Sequence, residues 1–131
     1  MRIWYEERNA PQSGTEICRV DDLGPGDIRE HSFAAETRYP FHLFIYNDEG
    51  VLRCYMNRCP HFGIKLNIEP GQFFNSRKTQ FMCTHHLGKF NFHDGECTDG
   101  PPFGTCLDSI PITVKGGVAF VAEIDKYIMT V

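Results

Sequence analysis

A chain of 131 residues, 41% hydrophobic and 23% charged, fits one small domain with a modest core. Its net charge is −4 and its pI about 5.8, and Arg77-Lys78 is its longest cationic run, so a nucleic-acid partner is not expected. Residues 1–8 (MRIWYEER) hold no apolar leader core, and no apolar stretch reaches membrane-spanning length. The expectation is a cytoplasmic, monomeric protein with no membrane contact. Its six cysteines then read as metal ligands or buried thiols before disulfides.

In chain order, residues 1–14 read as an N-terminal extension lying loosely on the surface, followed by a domain over 15–131. A short helical turn is expected at 20–23. Phe41, Leu43 and Ile45 alternate with His42, Phe44 and Tyr46, which predicts a strand. Asn47-Asp48-Glu49-Gly50 is a turn signal, and residues 51–56 return as the second strand of a hairpin. Residues 57–109 carry most of the Gly, Pro, Cys and His, with short strand-like pieces at 79–83 and 89–92 and a turn at 93–96. The segments 110–115 and 118–123 flank Gly116-Gly117, which predicts a tight hairpin because both glycines tolerate positive φ. The fold class is therefore all-β: an antiparallel scaffold with a loop-rich subdomain inserted at about 57–109.

Two motifs in that insert carry chemistry. Cys59-Pro60-His61 and Cys83-Thr84-His85-His86 each place a thiolate donor and an imidazole donor on one tight loop. Residues 62–82 separate them, so two loops converging from opposite sides would supply two sulfurs and two nitrogens. Such a set suits a [2Fe–2S] cluster in which two His replace two Cys on one iron. Imidazoles are neutral, so the oxidised cluster sums to about zero charge and accepts an electron readily, with potentials of roughly −150 to +300 mV. Two Cys and two His also suit tetrahedral zinc, although C-x-H is tighter than the usual zinc spacing.

On these motifs the sequence resembles the Rieske [2Fe–2S] family, and most closely its small soluble ferredoxins. The resemblance implies that Cys59 and Cys83 bind one iron and that His61 and His86 bind the other. It extends to Leu66 in the first loop, and to Phe90, Asp94-Gly95 and the Gly100-Pro101 loop expected to cover the cluster. Leu107, Pro111 and residues 114–121 resemble the closing hairpin, and residues 20–26 the opening segment. Three departures stand out. The gap between motifs is longer than is usual, which predicts an enlarged loop within 67–78. Leu87 follows the second His where glycine is common. Ile64 and His85 stand near where high-potential respiratory relatives carry a disulfide, which implies the lower-potential type.

The remaining candidates have plainer readings. His85 is expected to be a partly exposed neighbour of the ligand His86. Cys97 and Cys106 are expected to be thiols, and Cys18 and Cys54 small buried hydrophobes. His31, His42 and His93 are expected to be surface or satisfied polar groups. The aromatics are expected to form core, with Phe62 adding an apolar shell beside a ligand.

A cluster held by four protein ligands has no open position for substrate, so the expected role is single-electron transfer, not catalysis. The resemblance implies a Rieske-type ferredoxin fed by a flavin reductase and serving a terminal oxygenase, ring-hydroxylating or similar. The alternatives are a small Rieske subunit of a reductase complex, such as that of nitrite reductase, and a zinc-stabilised interaction module. The chain is expected to be too short to carry the second, mononuclear-iron domain of an oxygenase itself.

Overall fold

The computed structural model describes residues 3–60, 63–85 and 87–123. Among them are two 3₁₀ turns, Trp4–Glu6 and Val20–Asp22, and no α-helix; the second turn lies where one was expected. No helix among the described residues is long and apolar enough to cross a membrane.

Three antiparallel sheets of three strands each make the scaffold. The strands in chain order are β1 (Glu16–Arg19), β2 (Ile28–Phe33), β3 (Phe41–Asp48), β4 (Val51–Met56), β5 (Phe81–Met82), β6 (Lys89–Phe90), β7 (Cys97–Asp99), β8 (Ile112–Lys115) and β9 (Val118–Val121). One sheet has the order β1-β9-β8, the second is the meander β2-β3-β4, and the third is β5-β6-β7 within the loop-rich middle. Both predicted hairpins form, each around a two-residue loop with positive φ. Glu49 and Gly50 (52° and 98°) join the paired residues Asp48 and Val51, while Gly116 and Gly117 (57° and 77°) join Lys115 and Val118. Positive φ at both loop positions matches the twist of the flanking strands.

β3 forms where the alternation predicts a strand, and it is buried on both faces. Phe41 and residues 43–47 are all buried, because both faces of the strand are covered. Successive side chains point to opposite faces. Leu43 and Ile45 join Ile17, Ala119, Val121 and Cys54 in one core, between the meander and the β1-β9-β8 sheet. Phe44 and Tyr46 join Tyr55, Phe81, Phe90 and Leu107 in a second core, under the loop-rich insert. Phe81 is the hub of this aromatic core, with Phe44, Tyr46, Tyr55 and Phe92 ring centres 4.8–5.8 Å away.

The N-terminal segment is not loose. Trp4 is only 3% exposed and packs edge-on to Phe41 at 6.4 Å, inside the first core. Gly14 N–H donates to the Val121 carbonyl, and the Glu7 carboxylate meets Arg58 at 2.6 Å. The expectation of a loose extension failed because a lone tryptophan in a polar stretch carries enough apolar surface to fix the segment.

Candidate metal centre

Cys59 follows the end of β4, and Cys83 follows the end of β5. Both are 0% exposed and belong to the aromatic core that contains Phe44 and Phe81. Their loops close in the same way. The N–H of each cysteine donates to the carbonyl five residues on, Cys59 to Ile64 and Cys83 to Gly88. Each cysteine carbonyl in turn accepts from the N–H four residues on, that of Gly63 (2.8 Å) and that of Leu87 (2.7 Å). The residue at that fourth position has positive φ in both loops, 71° at Gly63 and 61° at Leu87. Leu87 therefore takes a left-handed conformation that glycine adopts without cost, and its side chain is 61% exposed. The loops are also laced together, since the backbone N–H and the hydroxyl of Thr84 both donate to the Leu66 carbonyl, at 2.8 and 2.9 Å.

A third loop covers the second. Pro102, and not the Pro101 that sequence reasoning singled out, is buried there; Pro101 is exposed. A Cβ on Gly88 would lie 2.5 Å from Pro102 Cγ, and one on Gly100 would lie 2.8 Å from the Gly88 Cα. Both glycines are thus required by close approach, and Gly100 by its φ of 88° as well.

A buried polar network that carries no motif holds the first loop. The Asn57 side chain accepts from the Leu66 N–H (2.9 Å) and donates to Asn67 Oδ1 (3.0 Å). Asn67 Nδ2 donates to Glu30 Oε1 on β2 at 2.8 Å, and the other Glu30 oxygen accepts from the Gly71 N–H at 2.9 Å. Farther along, Lys78 Nζ donates to the Gly26 carbonyl at 2.8 Å. Residues 67–78 are therefore tied to the scaffold at both ends. Residues 30, 57 and 67 are brought together only by the fold, so spacing gave no signal for them.

His61, Phe62 and His86 lie outside the described residues, and the expectations placed on them are neither met nor contradicted here. His85 is exposed, and it joins no group of three metal-ligating side chains among the described residues. The other candidates lie mostly where expected. Cys18 and Cys54 are buried in the first core, and Cys97 is a buried thiol whose Sγ–H donates to the Asp99 carbonyl at 3.1 Å, while Cys106 is an exposed thiol. Burial pushes the Cys54, Cys97 and Cys106 thiols up, away from the reactive range. His42 Nδ1 bonds Ser32, and His93 meets Asp94 at 3.3 Å. His31 departs from expectation: its Nε2 is buried with no hydrogen-bond partner among the described residues. Burial, aided by the Arg29 guanidinium, pushes its imidazole below the usual value.

Cys59 and Cys83 thus sit on two loops of matched closure, joined through Thr84 and Leu66. A family model of the Rieske [2Fe-2S] domain matches residues 13–114. The chain belongs to the Rieske [2Fe–2S] family. A Rieske-type [2Fe–2S] cluster, which carries one electron when reduced, comes with that membership. Buried sulfur donors in an aromatic, water-poor core suit such a group.

The Rieske domain is 29% identical over 117 residues to the alkene monooxygenase system ferredoxin component of Xanthobacter autotrophicus, covering 83% of either chain. It is 32% identical over 94 residues to the chloroplastic protein TIC 55 of Arabidopsis thaliana, covering 65% of this chain and 16% of that one. Among solved structures it resembles the ferredoxin of carbazole 1,9a-dioxygenase from Nocardioides aromaticivorans. The TM-score is 0.65 at 18% identity, over 86% of this chain and 100% of the other. A chain of a reduced oxygenase–oxidized ferredoxin complex of carbazole 1,9a-dioxygenase gives 0.62 at 22% identity, over 82% and 90%. These likenesses show that the fold is that of Rieske ferredoxins. Membership of the Rieske [2Fe–2S] family, with its one-electron cluster, makes the chain an electron-transfer component.

Proposed function

We propose that the chain is a Rieske-type ferredoxin whose cluster is held by Cys59 and Cys83 on one iron and by His61 and His86 on the other. Acting as a cytoplasmic monomer, it takes single electrons from a flavin reductase and delivers them to an oxygenase of aromatic or similar small molecules. The observation that carries the reading is the matched closure of the two loops, which sets both thiols at equivalent positions in one buried apolar cluster. The loops also carry imidazole donors, and the C-x-H and C-x-x-H spacing of the Rieske family selects His61 and His86 among them. The match to a monooxygenase ferredoxin component along 83% of either chain supports an oxygenase as the electron acceptor.

Low-temperature EPR of the dithionite-reduced protein, with iron and sulfide counted on the same sample, tests the cluster. Two irons, two sulfides and a Rieske-type signal are expected; zinc in place of iron would refute the assignment. His86→Ala should lose the signal and His85→Ala should keep it, and the reverse would move the ligand by one residue. With an NADH-dependent flavin reductase added, the visible bands should bleach. Failure with every such reductase tried, while dithionite still reduces the cluster, would overturn the donor alone.

A further inference from the structure

We propose that a cationic cleft beside the first cluster loop docks an acidic surface segment of the protein electron partner; this rests on the electron-carrier reading above. The cleft has a volume of about 860 Å³ and is lined by the N-terminal segment, residues 38–42, the loop at 63–68 and His85. Among the described residues, Arg8, Arg38, Arg58 and Lys65 line it against the single carboxylate of Glu7. The chain as a whole carries a charge of −4, so this concentration of positive charge runs against the bulk of the molecule.

Arg58 is already matched by Glu7 at 2.6 Å. Among the described residues, no carboxylate lies within ion-pair distance of Arg8, Arg38 or Lys65. Arg8 stacks over the Tyr39 ring at 4.3 Å from its centre, and Arg38 approaches the same ring at 5.7 Å. Asn9 Nδ2 donates to the Tyr39 carbonyl at 2.7 Å, which fastens the Arg8 wall to the Tyr39 wall. A stacked guanidinium loses little freedom on binding and keeps its N–H donors for a carboxylate.

The charges come from separate segments of the chain, and exposed Tyr39, Ile64 and Ile68 lie among them. That mixture of aromatic, Arg and apolar surface fits a protein face better than a small anion. His85, the neighbour in sequence of the proposed ligand His86, also lines the cleft. A partner seated there by its acidic side chains is held beside the cluster loops, and the long-range attraction raises the encounter rate.

The test uses the cluster-loaded protein and a hexaglutamate peptide as probe, followed by calorimetry at low salt. The Arg8→Glu/Arg38→Glu/Lys65→Glu variant should weaken binding about 10-fold or more, and salt of about 0.5 M should abolish it. The Arg19→Glu/Lys115→Glu variant, with both changes exposed on the β1-β9-β8 sheet, should bind as the parent does. Oxidation of the reduced protein by ferricyanide, a trianion taking one electron, should slow with added salt in the parent and not in the triple variant. Absent peptide binding, equal loss in both variants, or displacement of the peptide by an equal concentration of inorganic phosphate would each overturn the docking site. The EPR signal of the triple variant is read separately, so failure of docking with the signal intact leaves the electron-carrier reading standing.

Discussion

Asn57→Ala removes a side chain that satisfies two buried groups at once. Its Oδ1 accepts from the Leu66 N–H, and its Nδ2 donates to Asn67 Oδ1. Leu66 and Asn67 are themselves buried, so water does not freely replace the lost partners. An unpaired buried polar group costs about 1–3 kcal/mol, which puts the loss at about 2–4 kcal/mol once some relaxation of the loop is allowed. Asn67 keeps its bonds to Glu30 and to the Glu69 carbonyl, so the damage should stay within the first cysteine loop. Glu30→Gln offers the comparison. It keeps one acceptor oxygen of the pair that holds Asn67 and Gly71, and Glu30 is only half-buried, so about 1 kcal/mol is expected. Urea unfolding of both variants, followed by far-UV circular dichroism with the visible cluster bands read in parallel, measures the order. A loss under about 0.5 kcal/mol for Asn57→Ala, or a larger one for Glu30→Gln, would refute the view that this network holds the loop.

Gly88→Ala should force Pro102 away from the second loop, because the new Cβ would lie 2.5 Å from its Cγ; the visible bands should then bleach several-fold faster in air. At position 87 the left-handed backbone should rank glycine at or above leucine and leucine above valine, with Leu87→Val losing about 1 kcal/mol in urea unfolding and Leu87→Gly losing nothing. Acidification should destabilise the meander through His31 and His42. Burial lowers the pKa of both folded imidazoles, helped by Arg29 and by Lys65 respectively, so the unfolded chain binds protons first. The stability these neutral rings supply is present above their ordinary pKa of about 6.5 and is lost as pH falls through it. His31→Leu should therefore show a smaller drop in unfolding free energy between pH 7.5 and 5.5 than the parent, and an unchanged drop would exclude His31 as a source.

The sequence by itself determined the all-β class, both hairpins and the two cysteine motifs, because these depend on neighbours along the chain. Glu49-Gly50 and Gly116-Gly117 announce turns through φ preferences that are local. C-x-H and C-x-x-H announce ligands through spacing on single loops. Relations between distant segments were not legible. Alternation predicted β3 as a strand, but only the packing of Phe44 against Phe73 and Phe81 decides that a second layer of sheet and loops covers its other face. Trp4 looked like part of a loose tail until Phe41 stood beside it. Asn57, Asn67 and Glu30 are ordinary polar residues in sequence; burial makes them a lock, because a polar group shut away from water must find its partners within the fold. Arg8, Arg38 and Lys65 are likewise scattered in a chain of negative net charge, and only the tertiary fold gathers them into one positive cleft.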